Sequence, residues 1–457
     1  MTADTRRLLD GPIVPTLLRL AAPNVVVMAV QAVVNAGEAL YVGWLGADAL
    51  AGVALVFPLI MLMQTMSAGG MGGGIASAVA RALGGGRRAE ANALAWHAVV
   101  IALGMGALFS ALMLATGPRL YAALGGQGPV LGVAVAYSSV VFGGAIAFWL
   151  FNSLASVVRG TGNMALPAAV VVGGAVVVLT VSPALILGVG PLPRLGVAGA
   201  AVALVTYYVL GALVLIGYLV AGHGLVRLAL GDLRLRAALF REILRVGAPG
   251  ALNTIQANLT VVLLTGLVGP FGGLALAGYG VAARLEYLQI PLVFGLGSAL
   301  VTMVGTNVGA GQAARARRVT WIGAGMAAAL TAAIGMAATL APDAWLTLFT
   351  RDAGVLATGR AYLRTVGPAY GFFGLGLGLY FASQGTGSIT WPLVGGFARL
   401  LVAAGAGWFV VRRLDGGLPG LFAVIAASLA VFGLTVAVAL ALRGARRARL
   451  VMKEART

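Results

Sequence analysis

The 457-residue chain contains no cysteine, two histidines and a single lysine, Lys453. Without cysteine there are no disulfides and no thiolate metal sites, and His97 and His223 alone do not make a multi-histidine centre. Charge is scarce as well. Only 9% of residues are Asp, Glu, Lys or Arg, against 60% hydrophobic, where a soluble chain would be about one quarter charged. Gly69–Gly74 and Gly84–Gly86 look like phosphate loops, but no Gly-Lys-Ser/Thr follows them, so no Walker A site is present. Small residues that let helices approach closely account for them better. No cofactor is expected.

What the chain has is apolar runs near 20 residues long, repeated from end to end and bounded by Gly, Pro or Arg. In lipid a backbone must satisfy its own polar groups, so such runs are read as membrane-spanning helices. Outer-membrane barrel alternation is absent. The pattern predicts an all-α membrane protein with twelve spans, the first at about 17–44 and the last at about 418–442. The N-terminal residues to Leu9 are polar and run through Pro12 and Pro15 into a long first span, so no cleavable leader is read.

Net charge is +18, a balance that elsewhere suggests nucleic acid. Here the arginines sit in short connections between spans, which argues against it. With the N-terminus inside, the inner segments hold 21 of the 30 basic residues and the outer segments seven. That bias predicts cytoplasmic termini in a prokaryotic inner membrane. The segment 222–245 is expected to be a basic cytoplasmic linker carrying a short amphipathic surface helix, drawn to anionic lipid. Residues 443–457 are read as a basic cytoplasmic tail.

The chain also repeats itself. Pro23 recurs as Pro249, Ala49–Gly52 as Ala275–Gly278, Gly160-Thr161-Gly162 as Gly385-Thr386-Gly387, and Pro167 as Pro392. The offset stays at 225 or 226 residues. An even number of spans per repeat places both halves in the membrane the same way. Residues 1–221 and 246–442 should therefore form two six-helix lobes related by a pseudo-two-fold along the membrane normal, with substrate bound between them.

Acids within spans are few. Glu38 lies about 10–15 Å below the outer end of the first span at 1.5 Å per residue. Asn24, Gln31, Asn35 and Glu38 share a narrow helical face, which is expected to line an interior cavity. A carboxylate so placed is a candidate to take up and release a proton. Glu286, flanked by Tyr279 and Gln289, is a second candidate for ion coupling, or else a structural partner for a cation on another helix. Tyr370, Phe373, Tyr380 and Gln384 share one side of the tenth span and suit amphipathic or cationic ligands. Asn152, Gln256, Asn253, Asn258 and Asn307 would line the cavity or bond neighbouring helices. Arg399 needs a partner or a cavity, and His97 is read as structural. The chain offers little material for a membrane-embedded enzyme.

These residues resemble the multidrug and toxic compound extrusion (MATE) family over nearly the whole length. The resemblance is carried by Gly11-Pro12-Ile13 before Pro23, Glu38 followed by Tyr41-Val42-Gly43-Trp44-Leu45-Gly46, Ala80–Gly84, Arg159–Gly162 with Pro167, Gly196–Ala201, Asn307–Gly311 and Gln384–Gly387. It implies two lobes around a cleft that opens alternately to each side. It also implies a monomer that exports amphipathic, often cationic small molecules in exchange for H+ or Na+. The family commonly places an aspartate on the first helix, where this chain has Glu38. Val178 and Ser182 stand where relatives often carry Asn and Asp, and Gln256-Ala257-Asn258 stands where the NorM-like branch has a glutamate. Both losses remove sodium ligands, so the resemblance favours proton coupling through Glu38 and the DinF-like branch. Sodium coupling and a flippase for lipids or lipid-linked sugars remain alternatives. A cavity lined by Arg284 and Arg399 would favour the flippase.

Overall fold

The computed structural model describes residues 3–190 and 193–454, with side chains for 5–190 and 193–443. The basic tail expected at 443–457 therefore lies, in its side chains beyond Arg443, outside the described residues.

The described chain is helical throughout. A short helix, α1 (Ala3–Asp10), precedes the first span, α2 (Ile13–Gly43). The second span is α3 (Ala47–Gln64), a π-helical turn Thr65–Met71 and α4 (Gly72–Gly84). There follow α5 (Arg88–Ala123), α6 (Gly128–Gly143), α7 (Ala145–Gly160), α8 (Ala165–Leu187) and α9 (Val197–Val220). The second half holds α10 (Ala237–Val268), α11 (Gly273–Gly309), α12 (Ala313–Leu340), the single turn α13 (Pro342–Leu346), α14 (Ala353–Val366) and α15 (Tyr370–Thr386). It ends with α16 (Thr390–Leu400), a π-helical turn Leu401–Ala406, α17 (Gly407–Arg413) and α18 (Gly417–Glu454).

Among the described residues ten helices are long and apolar enough to cross a membrane, and α6 with α7, bent by 48°, makes an eleventh. The remaining stretch expected to span, 354–382, is built from α14 and α15, 14 and 17 residues long. A 3-10 turn over Gly367–Ala369 separates them, where Pro368 offers no N–H to continue the helical ladder. This break and the one at Gly144 fall at repeat-related positions. A hydroxyl from the preceding span adds a bond to a carbonyl just before each break: Ser110 donates to Phe142 O at 2.6 Å, and Thr339 to Leu363 O at 3.2 Å. Half-buried hydroxyls thus reinforce each interruption where lipid offers no partner.

The turns repeat too. Gly46 and Gly272 open α3 and α11 with φ of 105° and 97°, and Gly86 and Gly311 follow α4 and α11 with 73° and 75°. Only glycine takes such angles without strain. The helices form two lobes, α2–α9 and α10–α18. One apolar core fills the first lobe around Phe142, Trp149 and Leu154, and another fills the second around Tyr362, Tyr370 and Phe422. A third cluster, with Leu17, Ala76, Val246 and Leu300, bridges the lobes at the arginine-rich end.

Glycines make that bridge possible. A Cβ on Gly70 would lie 2.6 Å from Ala251 N, and one on Gly74 2.7 Å from Gly247 N. The glycine run of α4 is therefore a lobe-to-lobe contact, as its composition suggests. Arg81 adds a polar latch: it donates to Ser77 Oγ at 2.6 Å within its own lobe, and to Gly385 O and Glu242 Oε1, both at 3.3 Å, in the other. Helix α1 lies across the same end. Leu8 is buried, its carbonyl accepts from Asn307 Nδ2 at 3.0 Å, and Gly11 O accepts from Arg315.

The linker differs from expectation. Its only regular piece before α10 is a 3-10 turn, Leu230–Asp232. The amphipathic stretch begins at Ala237 and continues into the span as α10, with Leu239 and Ile243 buried. The irregular part is strapped to α5: Trp96 Nε1 donates to Ala229 O, and Asn92 bonds both Arg227 N and Asp232. His97 is fully buried. Its Nδ1 lies 2.7 Å from Ala93 O, and its Nε2 accepts from Arg236 N at 2.9 Å, a structural role.

Candidate functional site

The polar face of α2 divides when it is folded. Asn24 reaches the other lobe, donating to Ser298 Oγ at 3.0 Å. Gln31 is half-buried and Asn35 exposed. Glu38 turns into its own lobe, where its Oε1 is shut away from solvent without a hydrogen-bond partner. Tyr137 of α6 and Tyr208 of α9 are its electrostatic neighbours, and Tyr208 donates to Gln64 Oε1 at 3.2 Å. Beside it α2 packs tightly on α8. A Cβ on Gly37 would meet Leu179 at 2.6 Å, and Tyr41 Oη donates to Leu179 O at 3.2 Å. Val178 and Ser182, where the resemblance would place an Asn and an Asp, are buried in α8.

Glu286 belongs to a separate cluster in the second lobe. Its Oε1 lies 2.7 Å from Arg399 Nη2, and its Oε2 accepts from Tyr362 Oη at 3.1 Å. Arg399 also sits over the Phe373 ring at 4.9 Å, and the Tyr279 ring is 5.5 Å from that of Tyr362. Tyr370 is buried nearby. Arg399 thus has its partner. Arg284 is exposed and lies 5.5 Å from the Phe349 ring, so the two arginines do not frame one cavity.

Several polar residues expected in the cavity serve the lobe interiors. Asn152 donates to Phe148 O on its own helix, and Gln256 to Thr260 Oγ1. Gln289 is fully buried, with its Oε1 unpaired. Tyr380 packs edge-on against Phe381, 5.1 Å between centroids.

Between the lobes, where they close on each other, lies a small niche. Its walls include Ser156, Arg159, Phe294, Ser298, Phe381 and Gln384. The wide π-helical turn presents the Gly69 carbonyl there, and Gln384 Nε2 donates to it at 3.0 Å. In the sequence Arg159 counts only as one more arginine of the basic end. The signal pointing inward was its place in the last turn of α7, because a helical side chain leans back toward the helix N-terminus, here toward mid-membrane.

The profile of the MatE family matches residues 23–184 and again residues 249–409. The chain belongs to this family, one of membrane transporters, and the double match is the internal repeat itself. A probable multidrug resistance protein NorM of Deinococcus radiodurans is 31% identical, over 92% of this chain and 93% of that one. An FAD transporter of Shewanella oneidensis is 26% identical over 81% and 82%. Among solved structures, an outward-facing multidrug-resistance MATE transporter superposes with a TM-score of 0.87 at 25% identity, covering 99% of this chain and 100% of that one.

Proposed function

We propose that the protein is a proton-coupled exporter of amphipathic organic compounds, cationic ones included, working by alternating access as a monomer in a prokaryotic inner membrane. Both termini and the arginine-rich end face the cytoplasm, as the arginine bias favours. The lobes meet at that end, so the cleft between them opens outward. Glu38 carries the proton, and the absence of the polar pair at Val178 and Ser182 favours H+ over Na+ and a DinF-like kinship.

The observation that carries this reading is the Glu38 carboxylate, held inside the first lobe with one oxygen unpaired and tyrosines rather than cations beside it. A carboxylate there holds a proton in one lobe arrangement and releases it in another. Only such differential binding lets a gradient drive transport. Glu286 is committed to Arg399 and Tyr362, so the coupling rests on Glu38. The relatives' names point to drugs and to a flavin dinucleotide. We take amphipathic organic molecules that pair an aromatic body with a charged group as the cargo class.

The test is transport of a fluorescent dye panel in proteoliposomes with proton and sodium gradients imposed separately. A proton gradient should drive transport by the natural chain and not by Glu38→Gln. Full pH-driven transport by Glu38→Gln would end the mechanism.

A further inference from the structure

Arg159 stands at the junction of the lobes with no carboxylate to answer it. Its Nε donates to Ala155 O at 3.3 Å, and its guanidinium carbon lies 5.8 Å from the Phe294 ring centroid. Among the described residues no Asp or Glu lies within salt-bridge distance of it. Its backbone is fixed from the other lobe, with Thr302 Oγ1 donating to Arg159 O at 2.9 Å. Arg399 is paired with Glu286 and Arg81 with Glu242, and the half-buried Arg315 donates to Gly11 O at the rim.

An arginine inside a membrane protein faces a partner, a cavity or a pathway. The C-terminus of α7 offers the equivalent of roughly half a negative charge. That is incomplete compensation for a full cation withdrawn from water. Gln384, fully buried in the niche wall, commits its amide nitrogen to Gly69 O, so the positive charge there comes from Arg159 alone. Phe294 and Phe381, 5.8 Å apart and nearly perpendicular, give it an aromatic wall.

With the lobes closed the niche measures about 20 Å³, room for about one water; we propose that it widens as the lobes part and then binds the anionic group of the cargo, a carboxylate, sulfonate or phosphate paired with Arg159, while Phe294 and Phe381 hold its flat apolar body. The inference rests on the export reading above and names the charge that the cleft selects at its floor. Glu38, in the first lobe, is left free for the proton. The counter-charge for Arg159 then arrives with the ligand. An anionic lipid headgroup offers the same chemistry as a soluble aromatic anion.

The test is dye binding by fluorescence anisotropy, on the full chain in phosphatidylcholine nanodiscs without any gradient. Carboxyfluorescein and rhodamine 123 share a xanthene core, but rhodamine 123 is a cation whose benzoate is esterified. Arg159→Gln should weaken carboxyfluorescein by about tenfold and leave rhodamine 123 within about twofold of the natural chain. Arg159→Lys should recover most of the loss. Adding phosphatidylglycerol separates the sources: if the headgroup is the occupant, it displaces carboxyfluorescein from the natural chain, and if not, binding is unchanged; either result keeps the site. Equal carboxyfluorescein binding by the natural chain and Arg159→Gln would overturn the proposal. So would parallel loss of both dyes in Arg159→Gln and Arg159→Lys. Because no gradient is present, failure here leaves proton coupling through Glu38 standing, and failure of the Glu38 test leaves this result untouched.

Discussion

Gly84 and Gly309 occupy equivalent places in the two halves and press against each other's helices. A Cβ on Gly84 would collide with the Thr306 carbonyl, and one on Gly309 with the Arg81 carbonyl. Thr306 and Arg81 are themselves repeat equivalents, so the contact is self-complementary about the pseudo-two-fold, as in an isologous interface. The carbonyls belong to helix backbones and cannot step aside as a side chain would.

Gly84→Ala or Gly309→Ala should therefore keep the lobes from closing at the arginine-rich end, at a cost on the order of 1–3 kcal/mol to the closed state. The chain has no native cysteine, so a spin-label pair across that end can be placed without background. Electron–electron distance measurements should show the separated population rise in either variant. Unchanged distances would mean that the glycines are not what permits closure.

The Arg81–Glu242 latch should act in the same direction but more weakly. Its side chains are 12% and 27% exposed, and Arg81 keeps its bonds to Ser77 and Gly385 O when Glu242 is neutralised. Glu242→Gln should cost the closed arrangement about 1 kcal/mol, read as faster alkylation of a cysteine introduced at the lobe contact. Arg81→Ala, which loses all three bonds, should accelerate it further.

The Glu286–Arg399 pair is a fixture of the second lobe. With side chains only 7% and 12% exposed, loss of one partner strands a charge. Arg399→Met should destabilise the protein by about 3 kcal/mol in denaturation experiments. Adding Glu286→Gln should restore part of that loss. A double variant less stable than Arg399→Met would show that the pair is not coupled.

Topology has a direct test. Arg317 and Arg351 are both exposed and lie on opposite ends of the bundle. Single cysteines in their places should be alkylated by an impermeant maleimide from opposite sides, with Arg317→Cys reached only in everted vesicles. The reverse pattern would invert the outward-open assignment.

Much of this architecture was legible before folding. Apolar runs between arginines locate the spans, because lipid admits little else, and the recurrence of Pro23 at 249 and of Gly160-Thr161-Gly162 at 385–387 marks the duplication. The interruption at Gly367–Ala369 was not foreseen, since an apolar run looks continuous whether or not Pro368 breaks its ladder. The site was less legible still. Asn24, Gln31, Asn35 and Glu38 share one helical face, yet Asn24 bonds the opposite lobe while Glu38 turns into its own. Asn152 and Gln256 look like cavity residues but spend their amides within their own helices.

The sequence alone determined that the chain crosses lipid many times, in two matched halves, with its positive charge gathered at one end. Hydropathy and charge act locally and survive in any window of 20 residues. Tertiary structure decided which groups are paired: Glu286 receives Arg399 from a helix more than a hundred residues away, while Arg159 receives no acid. Pairing depends on how helices rotate against one another. In spans apolar on nearly every side, no periodicity records that rotation, and glycine contacts such as Gly84 with Thr306 set it only once the lobes have met.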